Sequence, residues 1–209
     1  MNKPIVPKWI LFLSQFHAKF VYAHRTRALA GLIAKMVPDD CRLLDLGCGD
    51  GKISAMIMKE SPKLIVHGLD IKRRPQTEIP INIFDGSNLP LREASFDSVL
   101  IIDVLHHTRN PKSLLQEAVR VSKRYIIIKD HFLNRIWDRF ILQFMDWVGN
   151  RSQGVALPYN YWGEKRWREI WAELGLKIEI LQKNLKLYPW PADLIFGGNL
   201  HFLVKLSNK

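Results

Sequence analysis

Leu43-Leu44-Asp45-Leu46-Gly47-Cys48-Gly49-Asp50-Gly51 decides the fold of this chain. A short apolar run leads into glycines at alternate positions, and helix-forming sequence follows from about Lys52 to Glu60. Glycine accepts positive φ and lets a ligand lie directly on backbone. The helix start beyond it offers free amide donors. A strand, a glycine turn and a helix in that order open a parallel α/β sheet, in which ligands bind beyond the carboxyl ends of the strands. The spacing is G-x-G-x-G. The dinucleotide fingerprint needs a glycine where Lys52 stands, and no G-x-x-x-x-G-K-[ST] phosphate loop occurs.

Outward from this turn the chain keeps alternating. Apolar runs at 64–70, 81–84, 96–104 and 125–128 show little polar alternation, as expected of strands buried on both faces. Helical periodicity covers 111–121, with Pro111 in its first turn, then 132–149 and about 163–174. Two more strands are predicted at roughly 176–182 and 199–206. Two helices precede the sheet, 9–22 with Trp9, Leu13, Phe16 and Phe20 on one face, and 25–37 ended by Pro38. The stretch between Asp70 and Ile81 is too short for a normal crossover helix. No domain boundary is evident. Residues 1–209 read as one α/β domain with helices on both sheet faces: 1–38 an N-terminal helical lid, 40–130 a cofactor-binding core, 132–175 the substrate-side helices, and 176–209 the terminal strands.

The chain has 209 residues, 47% hydrophobic and 24% charged, which excludes disordered and collagen-like classes. Two cysteines, Cys41 and Cys48, cannot make a disulfide framework, and a cytoplasmic location is the expectation. No apolar run is long enough to span a bilayer. Lysine and arginine number 31 against 20 acids, a net charge of +11 that suits an anionic partner or a solvated basic surface.

Two acids lie in register with the glycine turn. Asp70 ends the second predicted strand, where a carboxylate can accept both hydroxyls of a ribose. Asp85 follows the third and can accept from an exocyclic adenine amine, with Gly86 leaving room for the ring. With these in place the chain is similar to class I S-adenosylmethionine-dependent methyltransferases of the type 11, small-molecule branch. The resemblance rests on Leu44 to Gly51, Gly68-Leu69-Asp70-Ile71, Asp85-Gly86-Ser87-Asn88-Leu89-Pro90, Phe96-Asp97-Ser98-Val99, Asp103-Val104-Leu105-His106-His107 and Leu114-Leu115-Gln116-Glu117. It implies a Rossmann-like sheet of seven strands, six parallel and one antiparallel, and S-adenosylmethionine as cofactor. It also implies that Gly47, Cys48, Gly49 and Gly51 face the methionine part and that Asp45 supports the loop. Asp70 would then hold the ribose, Ile71 flank the adenine, Asp85 and Gly86 receive its amine edge, and Asp103 and Val104 close the site.

Methyl transfer from a sulfonium is an in-line displacement needing alignment and exclusion of water. A base is needed only if the acceptor must lose a proton early. His106 and His107, just past the fourth strand, are the candidate bases. Lys129-Asp130-His131 opens toward the same rim, and His131 orders the loop or binds substrate. The segment 132–162 is the expected specificity region, and Tyr22, Tyr161 and Trp162 are the expected acceptor lining. No metal site is expected: no C-x-x-C occurs, and His24, His67 and His201 look scattered. The reading is methyl transfer to a small apolar or aromatic acceptor at oxygen, nitrogen or carbon. The alternatives are an RNA methyltransferase and a non-catalytic interaction module of the same fold. The basic, aromatic N-terminus lies either on the 132–162 segment or on an anionic lipid surface.

Overall fold

The computed structural model describes residues 21–150 and 158–208. The helix expected over 9–22 falls almost wholly outside these residues. Helix α1 (Ala23–Ala34) leads to β1 (Arg42–Leu46), α2 (Lys52–Glu60), β2 (Ile65–Asp70), β3 (Ile81–Ile83) and β4 (Phe96–Ile102). Then follow α3 (Pro111–Val121), β5 (Ser122–His131), α4 (Ile136–Asn150), α5 (Glu164–Glu173), β6 (Lys177–Lys183), α6 (Ala192–Phe196) and β7 (His201–Ser207). The sheet order is β3-β2-β1-β4-β5-β7-β6, parallel except for β7, which runs antiparallel to both neighbours. The expected seven-stranded sheet is present, and no helix joins β2 to β3.

Strand side chains alternate between two core layers. Leu43, Leu100, Ile127 and Leu203 meet Leu29 and Ile33 of α1 and Ile57 of α2. Leu44, Val99, Ile126 and Val204 meet Leu115 of α3 and Trp167 and Trp171 of α5. Burial on both faces explains the continuous apolar runs in the sequence. Helix α3 starts where the Asn110 side chain caps the Ser113 amide and Pro111 occupies the first turn.

Two strands differ from expectation at their site ends. β4 stops at Ile102 because Asp103 turns into the left-handed region at φ 52°. β5 runs on through Lys129, Asp130 and His131, since antiparallel β7 pairs with those positions. Polar side chains are thereby carried to the buried end of a strand. No helix among the described residues is long and apolar enough to cross a membrane.

Candidate active site

β1, β2 and β4 deliver their carboxyl ends to one edge of the sheet. The glycine turn there is held by backbone: the Gly47 amide donates to the Leu69 carbonyl at 2.7 Å, and the Gly51 amide to the Cys48 carbonyl at 2.9 Å. Gly47 has φ 77°, and a Cβ on it would meet Val104 Cγ2 at 2.3 Å, so the residue after Asp103 sits directly on the turn. Gly49 has φ 61°, and a Cβ there would have nothing within 4 Å. The backbone at Gly49 is therefore open to a ligand, while Gly47 is closed by protein.

Asp45, buried in β1, accepts from the Ser54 hydroxyl at 2.6 Å. Burial raises its carboxyl to about 7 despite the Ser54 bond, and Asp70 and Asp50 add to the rise. Three carboxylates thus crowd the glycine turn, an environment that suits a cationic ligand. Asp70 is buried. One of its oxygens accepts the Gly49 amide at 2.7 Å and the other the Lys72 amide at 3.0 Å. It couples the end of β2 to the turn, and its remaining lone pairs are what ribose hydroxyls would use. Ile71 beside it is 60% exposed. A Cβ on Gly86 would come within 3.1 Å of Ile71 Cγ2, so these two residues form one wall. Asp85 is exposed and accepts the Ser87 and Asn88 amides at 2.8 and 3.0 Å, which pull its carboxyl below the usual range. Cys48 is half-buried, its thiol pushed up by burial.

A second constellation begins one residue past β4. Asp103 pairs with Arg25 from α1 and with Lys129, which is fully buried in β5. Burial opposes its ionisation, but Lys129 and Arg25 hold it well below the carboxylate range. His106 is buried, with Nδ1 2.7 Å from Asp130 Oδ1 and Nε2 3.5 Å from Asp146 Oδ2, the latter an ion-pair rather than a hydrogen-bond distance. Burial alone would lower its pKa; Asp130, with help from Asp146, outweighs that and lifts it to about 10. His107 differs. Burial and the neighbouring His106 charge lower its pKa. The Tyr161 hydroxyl donates to Asp146, and the Tyr161 ring stacks on His106 at 5.4 Å. The Asn160 amide binds the His106 carbonyl at 3.2 Å, and its side chain binds the Thr108 carbonyl at 2.6 Å. His131 is buried with Nδ1 3.2 Å from Asp130 Oδ1; burial and then Lys129 keep it neutral, well below the histidine range.

The structure sorts the predicted residues. Asp45, Gly47, Cys48, Gly49, Gly51, Asp70, Ile71, Gly86 and Val104 share the glycine-turn edge, with Asp85 on the exposed loop beyond β3. His106, with a carboxylate near each ring nitrogen, is raised well above the ordinary histidine value, which favours its protonated form over the role of a base. His107 stays available as a base. Tyr22, Tyr161 and Trp162 do not form one wall. Tyr22 lies beside the start of α2, with the Lys52 ammonium 5.8 Å from its ring center, and the adjoining Val21 packs into the α1–α2 layer. Trp162 packs edge-on against Trp167 at 4.9 Å in the opposite layer. Only Tyr161 reaches the histidines, because a residue's neighbour along an extended segment points the other way. The partners of these groups carry no motif in the sequence: Asp146, Asn160 and Arg25 reach the cluster only through the fold, as does His201, whose ring lies 4.8 Å from that of His131. Nothing local marks Asp146, one of two acids in a helix that also carries Arg139 and Gln143.

Asp103, His106, Asp130 and His131 bring potential ligand atoms within 4.8 Å of one another, as do His106, His107 and Asp146. The carboxylates Asp103, Asp130 and Asp146 are already matched by Arg25, Lys129 and the His106 imidazolium, so the cluster is charge-balanced by its own side chains.

A G-x-G-x-G turn on β1, acids ending β2 and following β3, and a single antiparallel strand at β7 together define the class I methyltransferase fold. Residues 44–125 match the family model described as a methyltransferase domain, so the sheet core from β1 to the start of β5 is similar to class I methyltransferases of the type 11 branch. The chain is similar to the demethylmenaquinone methyltransferase of Thermotoga maritima, 24% identical over 146 residues, covering 62% of this chain and 63% of that protein. It is also similar to the tRNA U34 carboxymethyltransferase of Sulfurimonas denitrificans, 28% identical over 105 residues, 44% of this chain and 35% of that protein. The magnesium protoporphyrin IX methyltransferase of Synechocystis PCC 6803, solved with S-adenosylhomocysteine bound, superposes with a TM-score of 0.62 at 15% identity, covering 90% of this chain and 85% of that one. The chain spans about half the length of the curated relatives it matches. S-adenosylmethionine is the cofactor of this branch, and the open backbone at Gly49, the anionic surroundings and the Ile71 wall fit its cationic methionine end and its adenine.

Proposed function

We propose that the protein is a cytoplasmic enzyme that transfers a methyl group from S-adenosylmethionine to a small apolar or aromatic acceptor. One observation carries the reading. Val104 packs on Gly47 of the cofactor turn, and the His107 amide bonds back to the Val104 carbonyl at 2.9 Å, so a neutral imidazole stands one turn from the cofactor's place. Bound there, the sulfonium supplies a methyl group already activated by its positive charge. The protein's own part is alignment, exclusion of water and, for an acidic acceptor, removal of a proton by His107.

The surroundings support an acceptor at this point. Among the described residues, buried side-chain atoms without a hydrogen-bond partner include His107 Nδ1, Asp130 Oδ2 and His201 Nδ1, all in one cluster. Orphaned polar atoms on that scale mark a place where a polar group of a ligand is received. His107 is kept neutral by burial first, and then by the like charge of His106, whose ring centre lies 4.0 Å away. The Arg25–Asp103 pair brings α1 to the same rim, which supports residues 1–38 as a lid over core 40–130, with 132–175 on the acceptor side.

The net charge of +11 and the tRNA-modifying relative favour a second reading, methylation of RNA. Incubating the protein with methyl-labelled cofactor and an extract of its source cells separates the two. Label in the solvent-extractable small-molecule fraction is the expected result. Label confined to precipitated RNA would replace this reading with the second, and no transfer to any fraction despite cofactor binding would leave the non-catalytic module.

A further inference from the structure

Helix α4 is built the wrong way round for a helix that only covers a core. Ile136, Trp137, Phe140 and Phe144 are 78%, 73%, 59% and 53% exposed. They fall at helical spacing on one outward stripe. Its acids lie off this stripe: Asp146 is buried under Tyr161, and half-exposed Asp138 caps the Asn134 and Arg135 amides at 3.0 and 2.7 Å. The stripe continues onto α6, where Phe196 stacks on Phe144 at 6.2 Å. Trp190, Leu194 and Ile195 beside it are 82%, 76% and 60% exposed. Contiguous apolar exposure of this extent marks an interaction surface rather than ordinary protein surface.

We propose that the α4 stripe and the Trp190–Ile195 turn form a docking face for an anionic lipid bilayer. The chemistry selects this occupant. Tryptophan and phenylalanine, with exposed Arg139 on the same helix and exposed Arg135 just before its start, match the interface between acyl chains and negative headgroups. A second copy of the chain on this face would bring like arginines toward each other, whereas anionic headgroups complement them. Docking is independent of the transfer reaction. Together with it, docking would set the Asp146 side of α4, and so the His107 cluster, next to the bilayer surface.

Full-length protein is tested by co-sedimentation with phosphatidylcholine vesicles, with and without phosphatidylglycerol. The expected result is binding to the anionic vesicles that weakens as salt rises, with tryptophan emission quenched by acyl-chain-brominated lipid. The double variant Trp137→Glu with Phe140→Glu should bind vesicles about tenfold or more weakly. It should keep wild-type affinity for S-adenosylmethionine, which shows that it is folded. Trp190→Glu should give a smaller loss in the same direction. Three outcomes would overturn the proposal: no vesicle binding by the wild type, binding untouched by both variants but lost on replacing the basic residues among 1–20, or a solution dimer that the double variant dissociates.

Discussion

Burial lowers the proton affinity of both His106 and His107, but His106 alone has a carboxylate at each ring nitrogen, and Coulomb attraction there exceeds the cost of burial. Two adjacent residues of one type thus take opposite roles. The folded pKa of His106, about 10, lies above its ordinary value of 6.5. Its contribution to stability is therefore fully present below about pH 6.5 and is lost as pH rises through about 10. Denaturant titrations across that window should show wild-type stability falling with pH and His106→Gln lacking this component. At neutral pH the variant leaves Asp130 and Asp146 uncompensated and should lose about 3–5 kcal/mol. His107→Asn should instead unfold like wild type and bind cofactor normally, yet turn over about 10²–10⁴-fold more slowly with an acceptor that must lose a proton. If the stabilities of the two variants respond alike to pH, the division of roles is wrong. The sequence showed both histidines at the right strand end. It did not show which is charged, because that depends on Asp146 and Asp130, which reach them only through the fold.

At the scale of elements, the turn between β1 and α2 separates what holds the protein together from what holds the ligand. Alanine at Gly47 adds a Cβ against Val104 at a left-handed φ, so Gly47→Ala should destabilise the fold and reduce cofactor binding together. At Gly49 an added methyl meets no protein atom. Gly49→Ala should lose only the roughly 1–2 kcal/mol of left-handed backbone strain, while cofactor affinity falls more steeply. Thermal melts with and without cofactor check this: equal ligand-induced shifts in wild type and Gly49→Ala would mean that nothing binds over that backbone. Elements with chemical punctuation were legible, such as α2 after its glycines and α3 behind Asn110-Pro111. The ends of β4 and β5 were not. Asp103 breaks one strand by its conformation, and Lys129 to His131 extend the other only because distant β7 pairs with them.

Across the whole molecule, parallel topology puts the cofactor turn and the histidine cluster on a single edge of the sheet, and Arg25 ties α1 to that edge through Asp103. The outward aromatic stripe of α4 was visible in sequence only as an apolar helix, since periodicity gives a face but not its direction. The aromatics assigned to one acceptor wall are separated by the fold: Tyr161 packs with Leu142 and Leu200, Trp162 lies in the layer of α3 and α5, and Tyr22 stands beside Lys52 at the start of α2. Calorimetric titration of the full chain with S-adenosylmethionine is the decisive measurement of cofactor use. Saturable binding of the cofactor and of its demethylated product, no binding of NAD, and a loss of roughly 1–3 kcal/mol in Asp70→Ala are the expected results. Binding of NAD without S-adenosylmethionine, or an Asp70→Ala variant that binds like wild type, would contradict that assignment of the cofactor.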